Sequence, residues 1–167
     1  MAERTDSFDP RGLLATLDQH RVTYIVVGAF ARVVQGADEV TRGVDIVPST
    51  REENLRRLDA ALDDLGAERA DGTATPLAGS ETLGPVIEFQ TNHGELKVVP
   101  EPAGTKGYDD LRRAATREHL GQGLRPTVAS TGDLSRMLSA LGREEDLPKV
   151  LALRRLAELE ISRGIEI

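Results

Sequence analysis

The stretch Tyr24-Ile-Val-Val-Gly-Ala-Phe-Ala-Arg-Val-Val-Gln-Gly36, followed by Thr41-Arg-Gly-Val-Asp-Ile-Val-Pro48, carries the strongest structural signal in this chain. The first apolar run does not alternate, which predicts a strand over residues 22–27 that is covered on both faces. Gly28 ends this strand, and a short helix over residues 30–35 follows. A second strand over residues 44–47 then carries a single acid, Asp45, inside an apolar run.

The flanking sequence predicts helices and further strands. Asp9 and Pro10 predict the start of a first helix, with Asp9 as its N-cap. Asn92-His93-Gly94 predicts a tight hairpin turn. The remaining predicted elements are helices over 50–65, 108–118, from about 132 to Gly142, and 146–160, strands over 86–91, 95–99 and 125–129, and a loop over 70–85. The final helix is expected to turn Leu147, Val150, Leu151 and residues 153–156 inward. We therefore predict an α/β (α+β) fold in which helices flank a mixed sheet.

Composition limits the possible functions. A chain of 167 residues suits one domain, and the absence of cysteine excludes disulfides and thiolate metal sites. The formal charge of −7 argues against broad nucleic-acid binding, which depends on neutralising phosphates. No apolar run is long enough to cross a membrane. Residues 1–7 lack the features of a signal peptide, so we expect a cytoplasmic protein.

Several segments, in order, resemble those of the nucleotidyltransferases of the polymerase-beta superfamily, in particular the small bacterial AbiEii-like group associated with toxin–antitoxin systems. The glycine turn and second strand resemble a phosphate-binding turn followed by a strand with an acid-x-acid triplet. Four downstream segments also resemble the family: residues 94–99, 101–104, 108–111 and 133–146. The resemblance implies a single nucleotidyltransferase-like domain over 1–167, with its core at about 22–156. It implies nucleotide contacts at Gly28, Ala29 and Arg42.

The departures from the family pattern fall on its functional positions. The first metal-binding acid is replaced by Gly43, the third acid by Lys97, and a lysine in a later helix by Leu138. Asp45 is the remnant acid. Nucleotidyl transfer needs two divalent cations held by clustered carboxylates, so we expect no metal and no cofactor here. If Lys97 occupies the third-acid position, its ammonium is expected to pair with Asp45.

Three functional hypotheses follow. In the first, the protein is a catalytically inactive or impaired nucleotidyltransferase-like protein that acts by binding a nucleotide or a cognate toxin or antitoxin. In the second, it is an active Mg²⁺-dependent transferase that modifies protein or tRNA, with Asp45 and either Glu88 or Glu95 as an altered metal site. In the third, it is a structural or oligomerisation domain without a ligand.

Overall fold

The computed structural model describes residues 8–165, and the side chains of residues 8–161. The helices are α1 Pro10–Gln19, α2 Gly28–Val34, α3 Glu52–Asp64, α4 Tyr108–Leu111, α5 Thr131–Leu141 and α6 Leu147–Ile165, and a 3₁₀ turn over Glu144–Asp146 precedes α6. The strands are β1 Tyr24–Val27, β2 Gly43–Pro48, β3 Glu68–Arg69, β4 Ile87–Thr91, β5 Gly94–Val98, β6 Thr116–Arg117 and β7 Thr127–Val128. Residues 1–7, on which the expectation of no leader rests, lie outside the described residues.

The strands of the described residues form one mixed sheet in the order β3-β4-β5-β2-β1-β7-β6. Strand β2 is antiparallel to β1 and parallel to β5, while β4 and β5 form the predicted hairpin. The predicted α/β class with a mixed sheet is confirmed. This topology places β2 at the centre of the sheet, so Asp45 has a strand on either side.

The helices are specified by local signals that the structure confirms. The Asp9 carboxylate accepts a hydrogen bond from the Gly12 backbone N–H at 3.0 Å and caps α1. Ser130 caps α5 in the same way through the Asp133 N–H, also at 3.0 Å. Helix α3 buries Leu55, Leu58, Leu62 and the following Leu65, as their spacing predicts.

Two helix predictions need correction. The predicted helix over 108–118 ends at Leu111, because Thr116 and Arg117 pair with β7 as an edge strand instead. Helix α6 packs mainly against α5, and it buries Val150 and Leu153 but leaves Leu147 and Leu151 more than half exposed. The inward assignment of Leu147 and Leu151 is therefore wrong, because both leucines lie on the outer side of α6. Among residues 8–165, no helix has both the length and the apolar character to cross a membrane.

Candidate functional site

A row of side chains crosses three neighbouring strands on one face of the sheet. Asp45 on β2 lies opposite Lys97 on β5, and Lys97 lies opposite Glu88 on β4. Partners in register project to the same face, so the three charges are neighbours. The alternate residues Leu96 and Val98 are fully buried on the opposite face. The sheet therefore has a polar face that carries the candidate site and an apolar face that belongs to the core.

Asp45 lies at the inner end of this row, beside the β1–α2 turn. Its carboxylate is half-buried, and among the described residues it accepts no hydrogen bond and forms no ion pair within 4.0 Å. Burial is the main cause that raises the pKa of Asp45, and the negative charges of Glu95 and Glu88 raise it further. Lys97 and Arg32 act against this shift by stabilising the ionised form. Asp45 is thus a carboxylate held near positive charges but paired with none.

The turn at Gly28 is shaped around the Asp45 carboxylate. Gly28 has a φ of +73°, a conformation that L side chains rarely adopt. A Cβ atom at this position would also overlap the Asp45 Oδ2 atom. Glycine is therefore required here for two independent reasons: the left-handed backbone conformation, and the close approach of the turn to the Asp45 carboxylate.

Lys97 pairs with a different acid from the one expected. Its Nζ atom lies 3.9 Å from the Oε1 atom of Glu88, and the two side chains are 42% and 56% exposed. The predicted ion pair between Lys97 and Asp45 is therefore wrong. The longer Glu88 side chain reaches the ammonium where both charges stay hydrated, whereas Asp45 is short and half-buried. Lys97 still acts on Asp45, because its charge lowers the pKa of that carboxyl.

Gly43 occupies a position with no room for a side chain. It lies opposite Glu95 in the β2–β5 pairing, and a Cβ atom on Gly43 would come within 2.7 Å of the Glu95 carbonyl oxygen. The obstacle is backbone, so an aspartate at residue 43 would require β2 and β5 to move apart. Glu95 itself accepts a hydrogen bond from the Gln90 side chain at 3.0 Å.

The other residues singled out by the sequence are divided between the site and the core. Ala29 is half-buried in the first turn of α2, next to Gly28. Arg42 is exposed immediately before β2, and its side chain has no hydrogen bond or ion pair with the described residues. Leu138 is 5% exposed and belongs to the hydrophobic core. Gly28, Ala29 and Asp45 are thus brought together, whereas Leu138 is a packing residue.

An ion network beside the site was not predicted from the sequence. Arg32 on α2 donates two hydrogen bonds to the Glu39 carboxylate, at 2.7 and 3.0 Å, and both side chains are 11% exposed. The Lys149 Nζ atom on α6 lies 3.6 Å from the same carboxylate. The hydrogen bond from Arg32 is the main cause that holds the Glu39 pKa below its usual range. No sequence signal identifies this network, because Glu39 lies seven positions after Arg32 and the segment between them is not a continuous helix.

The arrangement limits the chemistry available at Asp45. Among the described residues, no group of three or more His, Cys, Asp or Glu side chains could hold a metal ion. Glu88 lies two strands away from Asp45, roughly 9–10 Å between backbones, and Lys97 lies between the two acids. Glu95 is diagonal to Asp45 on the adjacent strand β5, and it is therefore closer than Glu88. The site therefore offers one free carboxylate, nearby cations and a glycine turn.

No family model matches the chain, and no curated protein matches it.

Proposed function

We propose that this protein is a nucleotidyltransferase-like pseudoenzyme that acts by binding, as one member of a toxin–antitoxin-like pair in the cytoplasm. The observation that carries the proposal is the row of Asp45, Lys97 and Glu88 across the sheet. Where the family pattern has a third carboxylate, this row has an ammonium. A positive charge between two acids competes with any divalent cation for their negative charge.

The packing around Gly43 also supports the loss of transferase activity. An inactive site could arise by replacing one acid, with the backbone left ready to accept the acid again. At Gly43 the neighbouring Glu95 carbonyl fills the space that a Cβ atom would need. The strand spacing is therefore adapted to glycine. This favours a protein in which binding replaced transfer, over one in which a single catalytic residue is missing.

The nucleotide is the ligand that this proposal places at Gly28, Ala29 and Arg42. Arg42 is exposed and has no partner among the described residues, so its guanidinium is free to meet a phosphate. The second proposed ligand is a cognate toxin or antitoxin, and this part of the proposal rests on the family resemblance alone.

The active alternative is favoured by one observation, the proximity of Glu95 to Asp45. Glu95 contributes to the raised pKa of Asp45, so the two carboxylates interact electrostatically. Release of Glu95 from Gln90 would free it to approach a cation at Asp45. Under this alternative the protein is a Mg²⁺-dependent transferase with a two-carboxylate site.

A metal-binding and transfer experiment separates these two functions. Isothermal titration of the purified chain with Mg²⁺, alone and in the presence of ATP, CTP, GTP or UTP, should detect no metal binding by the parent. Transfer of a radiolabelled nucleotide to protein or tRNA should be absent. The variant Lys97→Asp places a second carboxylate directly opposite Asp45 and should gain Mg²⁺ binding, whereas the matched charge change Lys106→Asp should not.

Two results would reject the pseudoenzyme proposal. The first is Mg²⁺-dependent nucleotide transfer by the parent that Asp45→Ala abolishes. The second is Mg²⁺ binding by the parent that depends on Asp45 and Glu95. Gly43→Asp is a poor choice for rebuilding the site, because its side chain would meet the Glu95 backbone.

A further inference from the structure

A polar cleft lies at the opposite end of β1 from Asp45. Its volume is about 280 Å³, and it is enclosed by the end of α1, the residues leading into β1, the start of α4 and the β6–β7 pair. The lining side chains are Asp18, Val22, Thr23, Tyr24, Tyr108, Arg117, Arg125, Pro126 and Thr127. Asp45 is in register with Val27, three residues further along β1 than Tyr24 and about 10 Å away along the strand. The cleft is therefore separate from the candidate site.

Two arginines, Arg117 and Arg125, line this cleft, and while burial raises the pKa of the Asp18 carboxyl, the charge of Arg117 lowers it. The Arg117 Nε atom donates a hydrogen bond to the Arg125 carbonyl oxygen at 3.2 Å, which fixes the guanidinium and leaves its two terminal NH₂ groups available. Neither arginine forms an ion pair within 4.0 Å among the described residues. A fixed guanidinium presents two parallel N–H donors, the geometry that binds a phosphate through two oxygens. In a chain with a formal charge of −7, two arginines at one cleft that form no ion pair within the described part of the chain favour an anionic ligand.

Asp18 is the acid of the cleft, and it is held in place, so it defines which group the ligand must carry besides its phosphate. Asp18 accepts a hydrogen bond from the Tyr24 hydroxyl at 3.0 Å, and Tyr24 is only 5% exposed. Burial raises the pKa of Tyr24, and the Asp18 charge raises it further, so the phenol stays protonated and donates. The second carboxylate oxygen of Asp18 can accept a hydrogen bond but repels an anion. A ligand that suits both halves carries a hydroxyl group close to its phosphate.

We infer that this cleft binds a small phosphate monoester that carries a neighbouring hydroxyl group. The phosphate meets Arg117 and Arg125, and the hydroxyl group donates to Asp18. The volume is below the roughly 300–1,000 Å³ of typical small-molecule pockets, which favours a compact ligand. The inference does not depend on the proposed function, since the two sites share no residue.

The tyrosines give this cleft its own spectroscopic probe. The chain contains two tyrosines and no tryptophan, and both tyrosines line the cleft. Tyrosine emission is therefore measured during titration with inorganic phosphate and with glycerol 3-phosphate, at constant ionic strength. We expect a saturable change with both probes and tighter binding of glycerol 3-phosphate.

Matched variants test the two halves separately. Arg125→Gln, whose exposed side chain supports no other described contact, should weaken binding of both probes about tenfold or more. Asp18→Asn should abolish the preference for glycerol 3-phosphate over inorganic phosphate. Arg51→Gln, an exposed arginine outside the cleft, should leave both titrations unchanged.

The inference is overturned if the parent shows no saturable change at millimolar probe concentration. It is also overturned if Arg125→Gln and Arg51→Gln weaken binding equally, because the effect would then be one of overall charge. Thermal melts of each variant confirm that the fold is retained, so that a lost signal reports the cleft.

Discussion

The two ends of β1 hold polar side chains under opposite conditions. Before the strand begins, Asn54 from α3 is 5% exposed and makes three hydrogen bonds to backbone. It accepts from the Thr23 N–H at 2.7 Å and donates to the Thr23 and Ser49 carbonyls at 2.9 and 2.8 Å. At the end of the strand, Asp45 has no such partner among the described residues.

The difference distinguishes a stabilising polar group from a candidate functional one. A satisfied amide in the interior joins α3 to two strand ends and costs little, because each polar atom has its bond. An unpaired, half-buried carboxylate has lost part of its hydration with no bond in return. Proteins retain such groups where activity or binding needs them, at some cost in stability. Asn54 is therefore a residue of the fold, and Asp45 is the candidate functional residue.

The largest predicted effect tests the start of β1, where Asn54 makes its hydrogen bonds. Asn54→Leu preserves the approximate side-chain volume but leaves the Thr23 N–H and the Ser49 carbonyl without the bonds described above. We expect the free energy of unfolding to fall by about 2–4 kcal/mol, since each buried unsatisfied group costs about 1–3 kcal/mol. Urea denaturation measures the loss. Asn54→Asp keeps the acceptor for Thr23 but turns its second carboxylate oxygen toward the Thr23 and Ser49 carbonyls, so it should not recover the loss. A loss below about 0.5 kcal/mol in Asn54→Leu would remove the contrast.

The sequence predicted the elements that local signals specify. The Asp9 cap, the helix over 50–65 and the β4–β5 hairpin all depend on residues within a few positions of one another. The Asn54 network was missed because its partners lie up to 31 residues away in the chain. The partner of Lys97 was assigned wrongly for a related reason. The alternation of Lys97 with Leu96 and Val98 is consistent with the polar face, but alternation cannot decide between acids on the two flanking strands.

A second, smaller effect tests the contact between the turn and the carboxylate. Gly28→Ala introduces a side chain at a φ of +73° and against Asp45, so we expect a loss of about 1–3 kcal/mol in stability. Asp45→Ala in the same chain removes the overlap but not the backbone strain. The double variant should therefore lose less stability than the sum of the two single losses, by about 0.5 kcal/mol or more. Strictly additive losses would mean that Gly28 and Asp45 do not contact each other.

The smallest effect on stability carries the most information about Asp45. Lys97 and Glu88 form an exposed ion pair, so Lys97→Met should change the free energy of unfolding at pH 7 by less than about 1 kcal/mol. The same substitution removes a charge that lowers the pKa of Asp45, and that pKa should therefore rise further above its usual range. Titration of the carboxyl carbons by ¹³C NMR measures the change, with Asp45→Asn used to assign the signal and Lys106→Met as the matched control.

The sign of the linked stability effect follows from proton binding. Because the folded pKa of Asp45 exceeds the unfolded one, the folded state binds the proton more tightly, and this contribution to stability falls as the pH rises from the unfolded pKa to the folded pKa. In Lys97→Met this fall should extend to higher pH. An Asp45 pKa that Lys97→Met leaves unchanged would show that Lys97 serves Glu88 alone, and the row of three charges would then have no electrostatic role at the candidate site.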